Sequence, residues 1–499
     1  MKTIIDALLE PLTMLFDGIE NLFEKDHSYN GSLGDADKIL KRKHSKGNGL
    51  KIGNRFVSLA QMMKGGMLLL GKTGVGKSTK IYLQNLLSLS ELTPMSIICL
   101  DLAKELQDIT GGYVDQVMDA QENIDFSNAD ASQETWNPLE DLKNEDVHRF
   151  SVDLVASHTP DGGSKDPIWN NLSASVISYC ILLLKRIEYI TGLRGYVNLY
   201  NVRYLIVVLQ GEPIKLNALI SIFADDLLYS NFKAFLANDA KFLNSVLSNV
   251  LSVLVLWQDE DVIRTTSSTS LVMESFRYEK KILWIQSSIT AQKRLKGLNS
   301  LFLKAWFDFI MQSGVPTKEE LPITFFADEM SAVSTTDKGF IPFISSQIRK
   351  FKSFGIFGYQ SYSQCINLYG KEGATTLRTN TGTVLYLGKQ DLDTATHISK
   401  SLGRYSYEKD GKTLTREVMT PEEVMYQHTK EGGFLITSEE RPICLKRIKA
   451  FYQDKVLRKR AEIPAPEIQT NNPMPELLPI DELIKDVMKF NKNASNGKA

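Results

Sequence analysis

The eight residues Gly71-Lys72-Thr73-Gly74-Val75-Gly76-Lys77-Ser78 constrain this chain more than any other stretch of it. They stand between an apolar run, Met67-Leu68-Leu69-Leu70, and a helical pattern from Thr79 to Leu89. Strand, glycine loop and helix in that order let successive backbone N–H groups turn inward around phosphate oxygens, and the helix adds the positive end of its dipole. A lysine in the place of Lys77 reaches the β and γ phosphates, and a hydroxyl in the place of Ser78 ligates magnesium. Gly71, Lys72, Thr73, Gly74, Val75, Gly76, Lys77, Ser78 and Thr79 are therefore the expected nucleotide-binding residues, with ATP and Mg2+ as the expected ligands.

A phosphate loop needs a second part, because magnesium requires a carboxylate and the attacking water must be oriented. Ile323-Thr324-Phe325-Phe326-Ala327-Asp328-Glu329 supplies both at the end of an apolar strand. Asp328 is expected in the magnesium shell and Glu329 as the group that polarises the water. A further strand, Gly355-Ile356-Phe357-Gly358-Tyr359, ends on Gln360, which stands where a polar side chain could sense the γ-phosphate. Other buried-strand patterns run over Ser96 to Leu102, Ile282 to Gln286 and Thr383 to Leu387, and together with the crossover helices they predict a parallel-rich sheet. The wide gap between the phosphate loop and Asp328 weighs against a small nucleoside kinase or a GTPase switch. From about Asp153 to Leu271 the apolar spacing is helical, apart from strand-like alternation around Tyr204 to Leu209. The expected fold is α/β, a nucleotide-binding domain in two parts, 31–152 and 272–455, interrupted by an all-α domain over 153–271.

The two ends differ in character. Residues 1–30 space Ile4, Ile5, Leu8, Leu9, Leu12, Leu15, Phe16, Ile19, Leu22 and Phe23 along one face of a helix whose wet face is acidic, which suits packing on its own domain or, failing that, docking on another protein rather than on lipid. Residues 456–499 are rich in Pro, Asn and charge and are expected to form a flexible tail with one short helix from Ile480 to Phe490. No stretch is as long and uninterruptedly apolar as a membrane-spanning helix requires. With 58 Lys and Arg against 59 Asp and Glu, a general DNA-coating protein is excluded, and any nucleic acid contact must be local. The four cysteines, Cys99, Cys180, Cys365 and Cys444, have neither zinc-ligand nor disulfide spacing, which suits reduced thiols in the cytoplasm.

Several of these motifs in order resemble the TraG/TraD-type coupling ATPases of conjugation and type IV secretion. The resemblance covers roughly residues 31 to 452. It rests on the phosphate loop, Asp101-Leu102-Ala103-Lys104-Glu105, Trp136-Asn137-Pro138-Leu139 and Asp166-Pro167-Ile168-Trp169, and then on Asp328-Glu329, Gln360-Ser361, Leu368 to Ala374 and Leu385-Tyr386-Leu387-Gly388. It implies a RecA-like fold, a homohexameric ring with nucleotide at subunit boundaries, and an arginine acting in trans shortly before the sensor glutamine. Arg349 holds that place, with Arg378 in reserve. DNA, a relaxase or other transfer protein, and a secretion-channel or membrane-anchor protein are the implied partners. The family usually places two membrane helices before the ATPase; here the acidic amphipathic helix predicts a cytoplasmic chain, held at the inner face of the membrane by a separate protein. The alternatives are a HerA-like or viral genome-packaging translocase, and a non-translocating nucleotide-dependent receptor for secreted protein.

Overall fold

The computed structural model describes residues 30–158, 167–333, 338–427 and 431–485. The helix expected over 1–30 lies outside them except for Asn30. Two hairpin strands, β1 (Asn48–Ile52) and β2 (Arg55–Ser58), precede a sheet of nine. Its strands are β3 (Met67–Leu70), β4 (Ser96–Leu100), β5 (Ala120–Asp125), β6 (Lys281–Gln286), β7 (Ile323–Ala327), β8 (Ser353–Tyr359), β9 (Thr383–Leu387), β12 (Gly433–Thr437) and β13 (Ile443–Leu445); an exposed hairpin of β10 (Arg404–Lys409) and β11 (Lys412–Glu417) stands apart. The order is β13-β12-β9-β3-β8-β7-β4-β6-β5. All pairs from β9 to β5 are parallel, and β12 runs antiparallel to both of its neighbours.

The central strands are apolar on both faces because both faces are covered, as parallel sheets require. Strand alternation divides each one between two cores. Leu68, Leu70, Ile98 and Leu100 enter the cluster that continues into the helical domain, while Met67, Leu69, Ile97 and Cys99 enter the cluster on the opposite face. After β3 the chain passes over β8 and β7 to form β4, so the carboxyl ends of β3, β8, β7 and β4 frame a crevice at a topological switch point, where open α/β sheets bind ligands.

The helical domain enters between β5 and β6, with its longer helices at Val147–His158, Pro167–Thr191, Leu199–Gly211, Pro213–Phe223, Asp226–Leu236 and Ala240–Val253. The strand-like stretch from Tyr204 to Leu209 lies inside the helix Leu199–Gly211, where Leu205, Ile206, Val208 and Leu209 all face the core; packing has overridden a local period-2 pattern. Against the expectation that no stretch is apolar enough, Ile168–Thr191 is long and apolar enough by composition to cross a membrane despite Lys185-Arg186, and 50% of its apolar window is buried inside the structure.

Residues 456–485 differ from the flexible tail that composition suggests; the rest of that tail, including the end of the helix expected from Ile480 to Phe490, lies outside the described residues. A helix, Lys455–Ala461, is followed by an extended strap that runs from the nucleotide-binding domain to the helical one. The strap passes so close to Gly112 that a Cβ there would meet the carbonyl oxygens of Ile463 and Pro464 at 2.4 Å each. Thr470 and Asn472 then bond the carbonyls of Ala129 and Ser132, at 2.7 to 3.1 Å. Asn201 receives Leu478 N–H on its side-chain oxygen at 2.8 Å, and Leu478 and Ile480 are buried. The prolines leave fewer backbone donors to satisfy, so an extended segment can lie on protein with its carbonyls and side chains making the bonds.

Candidate active site

The phosphate loop follows β3 and takes its shape from two left-handed glycines, Gly74 (φ 81°) and Gly76 (φ 90°). At Gly71 the constraint is space instead, since a Cβ would meet Val75 at 2.8 Å. Lys77 is buried, and its ammonium donates to the carbonyl of Gly71 at 2.9 Å. The following helix begins with a wide turn over Ser78–Tyr82 and narrows to an α-helix over Leu83–Leu86.

Sheet register sets the other parts beside this loop. Leu70 pairs with Tyr359, Phe357 with Ala327, and Ala327 with Leu100, so Gly71, Gln360, Asp328 and Asp101 all follow strand ends on one edge. Ser78 Oγ donates to Asp328 Oδ2 across 250 residues of sequence. Burial pushes the Asp328 carboxyl up, against the opposing pull of the Ser78 hydrogen bond and the Lys77 charge. Its other oxygen, Oδ1, is buried and has no hydrogen-bond partner among the described residues. A buried carboxylate oxygen left over beside a serine hydroxyl fits a hard divalent cation that completes its shell with phosphate oxygens and water.

Glu329 is held from three sides. Gln360 Nε2 donates to Oε2 at 3.3 Å, Gln364 Nε2 donates to Oε1 at 3.3 Å, and Ser331 Oγ also donates to Oε1. Gln364 carries a second contact, accepting the backbone N–H of Gln360 at 2.7 Å. Sequence reading missed Gln364. Its only signal is helical phase: Ser361 caps the helix Tyr362–Asn380 by accepting from Gln364 N–H, which brings that residue's first turn back toward the strand end. The same helix breaks at Gly370, where φ is 74°, inside the Leu368–Ala374 motif.

Tyr82 joins the loop to this carboxylate pair. Its hydroxyl lies 2.8 Å from the carbonyl of Ala327 and 3.1 Å from that of Ile356. Burial first, and the Asp328 charge second, hold its pKa well above the usual phenol value, so it remains a donor. At the end of β4, Asp101 accepts from the N–H groups of Leu106 and Gln107 at 3.1 and 2.8 Å and so caps the helix Glu105–Val117. The intervening Leu102-Ala103 leaves Lys104 left-handed at φ 60°, with its ammonium 2.7 Å from the buried Asp125.

Loop, carboxylates and Gln360 line one cleft of about 660 Å³, whose far wall is Ile448, Ala450, Tyr452 and Gln453, a segment that the sequence did not single out. Arg349 is not in it. It lies in the turn Ile348–Phe351 before β8, at the amino edge of the sheet, exposed and with no hydrogen bond or ion pair among the described residues. Arg378 lines the same amino-edge hollow, its guanidinium 4.5 Å from the ring centroid of Tyr362.

A parallel-rich sheet with a phosphate loop at its switch point, a strand between loop and carboxylates, and an inserted helical domain defines a RecA-like P-loop nucleotide-binding protein. The family model for conjugative DNA transfer by the type IV secretory system matches residues 24–474, and the chain belongs to that family. The VirD4 protein of Rhizobium radiobacter is 24% identical over 427 residues, 79% of this chain and 58% of that protein. The VirD4 protein of Rhizobium rhizogenes is 24% identical over 249 residues, 46% of this chain and 36% of that protein. The chain thus spans less than two thirds of the length of these relatives. Among solved structures, the unbound bacterial conjugative coupling protein TrwBdeltaN70 superposes with a TM-score of 0.62 at 16% identity, covering 82% of this chain and 90% of that one. Plasmid coupling protein TrwB in complex with the ATP analogue ADPNP gives 0.60 at 18% identity, covering 83% and 93%. These similarities show the fold.

Proposed function

We propose that this chain is an ATP-hydrolysing subunit of a homohexameric ring motor, which couples DNA, carried with its relaxase, to a type IV secretion channel. The observation that carries the reading is the triple hold on Glu329 beside a buried Lys77 and the Ser78–Asp328 pair. Two carboxamides fix the Glu329 carboxylate at the mouth of the phosphate loop, where it can accept a proton from a water attacking the γ-phosphate. Gln360 touches both that carboxylate and the cleft, so it can link the state of the terminal phosphate to the base. Magnesium, when bound, would be held by Ser78 and Asp328 and would neutralise charge on the phosphate oxygens. TrwB has been solved with ADP and Mg2+, which supports the same ligands here.

Arg349, free at the opposite edge of the sheet, reaches no phosphate in its own subunit. In a ring it would face a neighbour's cleft and neutralise charge there. The family's role in conjugative DNA transfer supports DNA and transfer proteins as partners, met by a cytoplasmic chain at the inner face of the membrane.

The test is steady-state ATP hydrolysis by the purified chain, with and without single- and double-stranded DNA. Stimulation by DNA and collapse of turnover in Lys77→Ala are expected. A mixture of Lys77→Ala and Arg349→Ala should regain activity that neither has alone, because each supplies what the other lacks. Turnover indifferent to DNA would favour a nucleotide-dependent receptor, and a mixture that stays inactive would remove Arg349 from the site.

A further inference from the structure

We infer that Tyr452 is the face on which the nucleoside base is stacked, above a floor made by Ile448 and Ala450, so that the ligand's base end is read by the root of the C-terminal strap. This rests on the nucleotide assignment of the cleft. The cleft has two chemically different ends. One offers backbone N–H groups, Lys77, Ser78 and the carboxylates; the other is formed by the segment that follows β13, where Ile448, Ala450 and Tyr452 stand beside Gln453 and the neighbouring Glu431. Ile448 and Ala450 are 2% and 1% exposed, a closed floor, whereas Tyr452 is 55% exposed. A large aromatic side chain left more than half open on a cleft wall offers a flat face to a planar partner. A volume of about 660 Å³ accommodates a ligand that has its phosphates at the loop and its base at this wall.

The wall is fixed rather than loose. Ile448 N–H donates to the carbonyl of Glu431 at 2.6 Å, and Ala450 N–H to Gln453 Oε1 at 3.1 Å. Phe451 meets the Tyr452 ring edge-on, with centroids 5.5 Å apart and planes at 77°, and itself packs on Leu87, Tyr113 and Leu457. Asp454 then caps the helix Lys455–Ala461 by accepting from Val456 N–H at 2.8 Å. That helix is tied to the helix Glu105–Val117 by Arg460, whose guanidinium lies 4.7 Å from the Tyr113 ring centroid. From there the strap continues to the helical domain. A base on Tyr452 therefore touches the chain segment that joins the two domains.

The experiment is calorimetric titration of the full chain with Mg-ATP and, separately, with inorganic tripolyphosphate, which has no base. Tyr452→Ala should weaken ATP by about tenfold or more, the loss of one stacked base, while tripolyphosphate binds as to wild type. Tyr452→Phe, which keeps the ring, should restore ATP affinity. Unchanged ATP affinity in Tyr452→Ala overturns the proposal, and so does equal loss of both ligands, which would mean a damaged cleft rather than a missing stack. Lys77→Ala should lose both ligands. If it lost neither, the nucleotide assignment itself would fail, whatever Tyr452 did.

Discussion

Asp101 ends β4 inside the protein, where burial pushes its carboxyl up to about 6 from an ordinary 3.8, against the pull of the two backbone N–H groups it accepts. Because the folded chain holds this proton more tightly than the unfolded chain, the group favours folding below about 4. As pH rises from about 4 to about 6 the unfolded state ionises first, and of order 2 kcal/mol of stability is lost. Asp101→Asn removes the titration. Thermal unfolding across this window should show the variant gaining on wild type as pH rises, and parallel profiles would contradict the burial argument. At this scale the nucleotide motif was legible because its residues are contiguous and each has one chemical task. Asp328 and Glu329 were legible because they sit together at a strand end. Gln364 and Tyr452 were not: one reaches the site through helical phase, and the other through a long-range return of the chain to the loop.

Among elements, the helix after the phosphate loop does more than lend its dipole. Tyr82 on its first turn spans to the end of β7 and the middle of β8, the strands that lead to Asp328-Glu329 and Gln360. Tyr82→Phe keeps the ring and removes the one proton shared between these two carbonyls, which should cost about 1 kcal/mol in denaturant unfolding and lower kcat more than ATP affinity. Unchanged stability and turnover would mean that the placing of these two strands does not depend on this bond. Strands buried on both faces were readable as short apolar runs, which is why β3, β6, β7 and β9 stood out. β5, with Gln121, Glu122 and Asn123 in its middle, did not: at the sheet edge Gln121 and Glu122 stay half-exposed, while the buried Asn123 is satisfied by donating to the carbonyl of Ala131 at 2.6 Å.

For the whole molecule, the strap is the least legible feature and the most consequential. Proline and asparagine content reads as disorder, yet Thr470, Asn472, Leu478 and Ile480 fasten the strap to two domains. Leu478→Asp with Ile480→Asp should remove roughly 3 kcal/mol or more of burial and split calorimetric unfolding into two transitions as the helical domain uncouples. A single unshifted transition would show the strap to be incidental. The strap joins the side of the nucleotide cleft to the helical domain by these contacts, and the proposed function depends above all on Glu329 driving hydrolysis. The most direct test is to measure ATP binding and turnover of Glu329→Gln beside wild type in the presence of DNA. ATP affinity close to wild type is expected, with turnover lowered by about a hundredfold or more. A Glu329→Gln protein that hydrolysed ATP at the wild-type rate would contradict it.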